Sequence, residues 1–121
     1  MSKYKISVKN IITLKDAREH INKIGSDPKS IEIMAPKAIF RVIKLENIVL
    51  QDAIIIKQDM LSLGGEVAIP KDAFDLNQKS SDILIMGTLK QLWDLVQKLK
   101  RHYPRIQTIA TEFALFLDEI S

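Results

Sequence analysis

Residues 50–70, LQDAIIIKQDMLSLGGEVAIP, decide the fold. Gln51 to Leu63 reads as a helix, because Ala53, Ile56, Met60 and Leu63 recur at three- and four-residue spacing and line up as one apolar stripe. Ile54 and Ile55 widen that stripe to most of the circumference, and a helix so apolar is buried on most sides. Gly64-Gly65 stops it, since glycine enters the left-handed conformation after a helix without a Cβ clash. Glu66 to Ile69 then alternates as a strand, and Pro70 ends it. A central helix thus turns through a glycine pair into a core strand, and the other segments are placed around it.

Upstream, Tyr4 to Ile12 alternates Tyr4, Ile6 and Val8 with Lys3, Lys5, Ser7 and Lys9, which predicts a strand with one wet face. Thr13 is placed to cap a helix carrying Leu14, Ala17, Ile21 and Ile24 on one face; Gly25 ends it and Ser26-Asp27-Pro28 is a turn. Ile31 to Met34 reads as a second short strand, interrupted by Ala35-Pro36. The β-branched content of Ala38 to Ile48 favours a strand, with a helical start around Pro36–Arg41 as the alternative, proline being at home in the first helical position.

Downstream, Lys71 to Ser81 reads as a loop or single turn with polar residues around Phe74 and Leu76. Asp82 to Met86, DILIM, is a short apolar run between turn residues, the pattern of a strand covered on both sides. Gly87-Thr88 turns the chain, and Thr88 with Gln91 forms a capping-box pattern. The helix that follows turns Leu89, Leu92, Trp93, Val96 and Leu99 inward and Lys90, Asp94, Gln97, Lys98, Lys100 and Arg101 outward. Tyr103-Pro104 breaks it, and Ile106, Ile109, Phe113, Leu117 and Ile120 form the stripe of a last helix from Arg105 to Glu119. The whole is expected to be a single α/β or α+β domain, a single-layer mixed β-sheet packed with about four helices. The interval from Val67 to Ile83 is too short for a crossover helix, leaving an antiparallel pair and an irregular parallel crossover both open.

Composition narrows the chemistry. The 121 residues are 46% hydrophobic and 27% charged, an ordinary globular balance for one domain. The absence of cysteine removes disulfides, thiol catalysis and thiolate zinc sites, and fits a reducing cytosol. His20 and His102 stand far apart with no HxxxH or HxH pattern, so no metal site is expected, and no residue pattern asks for a cofactor. The net charge of +3 is compatible with an anionic ligand or nucleic acid and demands neither. No apolar run is long enough to span a membrane, and MSKYKISVKN lacks an apolar signal core, so the expected location is cytoplasmic.

No catalytic constellation is visible in the residues. The best anion-site candidate is Gly87-Thr88-Leu89-Lys90, where a buried strand runs into a helix start and places free N–H groups and the positive end of the helix dipole beside a hydroxyl and a lysine. A plain helix cap at Thr88 is the simpler reading, since the second glycine of a phosphate-binding loop is missing. Lys57, on an otherwise apolar helix, either carries its head out to solvent or serves an anionic ligand. Lys37 and Arg41 read as a solvated edge or, less simply, as a phosphate clamp with Lys44 pointing away. A nucleic-acid interface would use Lys90, Lys98, Lys100, Arg101 and Arg105 on the face of a helix spanning 89–105, with few aromatic residues to stack on bases.

Ile33-Met34-Ala35-Pro36-Lys37, Ile43-Lys44, IIKQDMLSLGGEVAIPKDAF, DILIMGTLKQ and KLKR resemble, in order and spacing, the N-terminal region of archaeal and bacterial dihydropteroate synthases and their archaeal relatives. KQDMLSLGGEVA is the most specific part. In those proteins the region precedes a catalytic (β/α)8 barrel, which has no counterpart before Ser121, so no barrel residue can be carried over. The closing stripe through Ile120 favours a natural end over a truncation. The resemblance implies a non-catalytic accessory or interaction domain in pterin or folate-type cofactor metabolism. Its expected partner is a separate dihydropteroate synthase-type barrel protein or a second copy of itself, with an anionic small molecule as a further candidate.

Overall fold

The computed structural model describes residues 3–73 and 79–121. Within them the chain forms helices α1 (Leu14–Ile24) and α2 (Pro28–Met34), a 3-10 turn over Ala35–Lys37, strand β1 (Phe40–Val49), helix α3 (Leu50–Ser62), strands β2 (Glu66–Ala68) and β3 (Ser80–Thr88), and helices α4 (Leu89–Leu99) and α5 (Pro104–Ile120). Five helices and a three-stranded sheet make the layered α/β domain class expected from the sequence. The strand order is β1-β3-β2 and both pairings are antiparallel, which settles how β2 and β3 are related.

Register divides the sheet into two unlike faces. Ile43, Ile85 and Val67 form one cross-strand row and Leu45 and Ile83 another, and these side chains point at the helices. They meet Ile56 and Met60 of α3, Leu92, Val96 and Leu99 of α4, and Ile106, Phe113 and Leu117 of α5 in one continuous core. The opposite face carries Phe40, Val42, Lys44, Leu84 and Met86 and has no second layer among the described residues. DILIM is therefore covered on one side only: Ile83 and Ile85 are buried, whereas Leu84 is exposed. Its unbroken apolar run reflects an apolar outer face, not a second set of helices.

Three other segments depart from the sequence reading. Tyr4 to Ile12 forms no strand, and Tyr4, Ile6 and Val8 are 70%, 91% and 90% exposed. Alternation specifies a strand only where an edge and an apolar layer receive it, and here the segment meets neither. Ile31 to Met34 is helical, because the Asp27 side chain accepts the Lys29 N–H at 2.9 Å and Pro28 occupies the first turn. Two residues that looked like alternating strand positions thereby separate, Ile31 inward and Ile33 outward. On α1, Thr13 and Gly25 cap as expected, but Ile24 lies outside the packed face. The Ala38–Ile48 strand forms as β1, and the alternative helical start survives as the 3-10 turn at Ala35–Lys37. Phe74 and Leu76 lie outside the described residues.

The glycine pair works as a hinge between α3 and β2. Gly64 has φ +89°, and the Gly65 N–H reaches back to the Met60 carbonyl at 3.1 Å. Gly65 and Gly87 serve packing: a Cβ on either would stand 2.4 Å from the Met60 methyl. Met60 is fully buried over both, so the helix sits as close to the sheet as two residues without side chains permit. Gly64→Val is expected to lower the stability of the protein by about 1–2 kcal/mol or more through the left-handed-conformation penalty. Chemical denaturation measures this, and an unchanged midpoint would mean that Gly64 does not carry the turn.

Candidate functional site

The most elaborate polar cluster ties the start of α3 to the start of α5. Asp52 falls on the buried face of α3 beside Ala53 and Ile56, and its side chain is 1% exposed. Arg105 donates from Nε to Asp52 Oδ2 at 2.6 Å and from Nη2 to Oδ1 at 2.8 Å, and the Tyr103 hydroxyl donates to Oδ1 as well. The guanidinium also lies over the Tyr103 ring, 5.2 Å from its centroid. Burial pushes the Asp52 carboxyl up, but the hydrogen bonds from Arg105 and Tyr103 and the charge of Arg105 more than offset it and hold the group below its ordinary range. Burial and the bond to Asp52 push the Tyr103 phenol up. Two helical turns further along α3, Asp59 Oδ2 lies 2.8 Å from His102 Nε2. Both acids of α3 thus grip residues 102–105, where the chain turns from α4 into α5.

This cluster is a clamp by its chemistry. Both Asp52 oxygens are engaged, and no buried side-chain nitrogen or oxygen among the described residues lacks a partner. The shallow cleft beside it, about 260 Å³, is lined by Asn47, Ile48, Val49, Thr108 and Ile109 in addition to the ion pair. Among the described residues no group of three or more histidines or carboxylates converges as metal ligands. The sequence did hold a signal for the clamp: an aspartate on the apolar stripe of a buried helix requires a cation within reach.

The residues singled out from the sequence are distributed as follows. Arg41 and Gly87 are cross-strand partners, as are Phe40 and Thr88, so three of the candidates lie together at one end of the sheet. Thr88 completes a capping box: its hydroxyl accepts the Gln91 N–H at 3.1 Å, and the Gln91 side chain accepts the Thr88 N–H at 2.9 Å. The Leu89 N–H donates to the Ile39 carbonyl at 2.8 Å. An anion at this turn would have to displace those acceptors. Lys90 pairs with Asp94 at 2.6 Å, and the Arg41 guanidinium donates to the Ile12 carbonyl and, at 3.1 Å, to that of Phe40. Lys57 is not with this group; it donates to the Val67 carbonyl at 2.8 Å and to Glu66 at 3.3 Å, bracing α3 against β2. The Val67 N–H and Lys57 together hold the Glu66 carboxyl below its ordinary range. Lys37 is exposed on the 3-10 turn.

The basic face expected over residues 89–105 is divided between two helices, since α4 ends at Leu99 and α5 begins at Pro104. Arg105 is committed to Asp52, Lys90 to Asp94, and Lys98 donates to the Ser62 hydroxyl. Lys100 and Arg101 are left exposed at the end of α4. Two apolar surfaces stand out instead. One is the outer sheet face, where Phe40 and Val42 are 59% and 56% exposed next to Leu84. The other is a groove of about 270 Å³ between β1 and α5, floored by Ile43, Leu45, Ile48, Ile109 and Phe113 and rimmed by Phe116, Lys44, Glu46 and Glu112. No helix among the described residues is long and apolar enough to cross a membrane.

The chain is similar to the bifunctional dihydropteroate synthase/dihydropteroate reductase of Helicobacter pylori, with 28% identity over 78 residues. That stretch covers 64% of this chain and 20% of the relative, so the chain spans about a fifth of the length of the curated protein it matches. No family model and no solved structure matches it.

The clamp carries a pH signature. Asp52 is more acidic folded than unfolded, so its contribution to stability is complete above the ordinary value of 3.8 and is lost as the pH falls through the folded-state value below it. In an Arg105→Met variant the buried carboxyl loses its cation, its folded-state value rises above the unfolded one, and stability grows as the pH falls from neutral. Urea denaturation from pH 7 to pH 4 is expected to show wild type well above Arg105→Met at neutral pH, with the gap narrowing on acidification. A gap independent of pH would remove Asp52 as the cause.

Proposed function

We propose that this chain is a non-catalytic accessory or interaction domain of pterin or folate-type cofactor metabolism, working beside a separate dihydropteroate synthase-type protein. The observation that carries this reading is the extent of the similarity: 64% of this chain aligns with one fifth of a protein named for two enzymatic activities. Four fifths of that protein lies outside the alignment. The side chains support the same reading, because the buried acid is spent on a clamp that joins helices and Lys57 on bracing a strand. The outer sheet face, with Phe40, Val42 and Leu84 open to solvent, offers the surface through which such a domain would work.

Two measurements test the proposal. Highly purified chain supplied with the pterin pyrophosphate and p-aminobenzoate is expected to give no product above a protein-free blank; turnover would overturn the non-catalytic assignment. Coexpressed with a dihydropteroate synthase-type protein from the same source, the chain is expected to co-elute with it on size exclusion. Val42→Asp, an exposed position, should abolish co-elution while leaving the circular dichroism spectrum unchanged. Separate elution of the two wild-type proteins would remove the partner from the proposal.

A further inference from the structure

The helical layer is wider than the sheet it supports. Helix α4 packs between α3 and α5, so the three span roughly 20 Å between outer axes at the usual 8–10 Å spacing. Three strands span only about 10 Å at 4.8 Å spacing. The overhang falls beside β1, where Ile109, Phe113 and Phe116 of α5 face the groove instead of a strand. β1 is the end strand of the sheet, and its outer edge has no backbone partner among the described residues. The place has the shape of a missing fourth strand.

The chain carries a segment that fits it. Tyr4 to Ile12 reads as a strand, with Tyr4, Ile6 and Val8 on one side, yet those three are 70%, 91% and 90% exposed, and residues 3–9 make no backbone hydrogen bond to the described residues. Seven extended residues reach about 23 Å, enough to line the open edge from Ile43 to Val49. Such a strand can turn its apolar side chains onto α5 and leave its lysines on the other face. The charges are complementary: residues 3–9 carry Lys3, Lys5 and Lys9 and no acid, whereas the groove rim carries Glu46 and Glu112 against Lys44. Lys44 is already shared between Glu46 and Asp82 at 3.5 Å each.

In its own chain the segment is led elsewhere. Arg41 holds the Ile12 carbonyl at the start of β1, and Lys9 lies beside His20, Ile21 and Ile24 of α1. We propose that the groove between β1 and α5 is a docking site for residues 3–9 of a second copy of this chain, which adds to the free edge of β1 as a fourth strand. The exchange is reciprocal, each copy giving one segment and taking one, so the assembly closes as a two-fold dimer.

The test uses the full chain alone and is independent of any synthase. Sedimentation is expected to give twice the 13.8 kDa chain mass for wild type and a twofold lower mass for the double variant Ile6→Asp, Val8→Asp. Both positions are exposed, so helix content should be unchanged. The chain has no cysteine, so Ser7→Cys, on the lysine side of the segment, gives a unique site for a nitroxide. Spin-labelled protein mixed with unlabelled 15N protein should broaden amide signals of Ile43–Ile48 and Ile109–Phe116 in the 15N copy. A monomeric wild type overturns the proposal. Broadening seen only when label and 15N are on the same molecule also overturns it, since the segment then folds back onto its own groove; a dimer without broadening at these residues places the interface elsewhere and does the same.

Discussion

Met60 sets the distance between the helical layer and the sheet. Its side chain lies where the Cβ atoms of Gly65 and Gly87 would be, one glycine leading into β2 and the other near the end of β3. A single unbranched side chain therefore fixes where α3 leaves off, where β2 begins and how β3 passes into α4. Glycine at these two positions follows from contact, while at Gly64 it follows from backbone conformation, so one short motif combines two different physical demands. The same contact gives the glycine before Thr88 a packing reason: the space beneath Gly87 is filled from inside by Met60.

Helices were the most legible part of the fold because their signals are local. Thr13 and Thr88 cap, Gly25 and Gly64 stop, and Pro104 starts a new helix, each through atoms within four residues. Strands depend on partners far along the chain, and there local pattern does not separate true from false. Phe40–Val49 and Tyr4–Ile12 both carry β-type patterns, yet only the first finds β3. Ile31–Met34 was lost to a neighbouring cap, since Asp27 and Pro28 outside the segment decide it. For the polar sites, the visible feature was a lysine near a helix start, and the consequential one was Asp52, hidden in an apolar stripe with its partner 53 residues away.

The two faces of the molecule now separate by chemistry. The side that carries α3, α4 and the 102–105 turn is knit by ion pairs and hydrogen bonds whose members satisfy one another. The outer sheet face and the β1–α5 groove are apolar and open. Polar groups that bond inward are poor recognition elements, whereas open apolar surface has free energy to release on contact.

The pairing of β1 with β3 has a consequence for how the chain reaches this state. Phe40 pairs with Thr88 and Val49 with Ser80, and the Asp52–Arg105 bond closes a loop longer still. Only α3, its glycine turn and β2 lie between the two long strands, together with residues 69–79. The rate of folding is therefore governed by loop closure: α1, α3 and α4 can nucleate on local contacts, but β1 gains its hydrogen bonds only after β3 arrives. Until then the apolar edge of β1 is open on both sides, and synthesis from the N-terminus emits that edge well before its partner. Crowded nascent chains are at their most adhesive in this interval, so slow translation or a high expression rate would lower the yield of folded protein without altering its stability once formed.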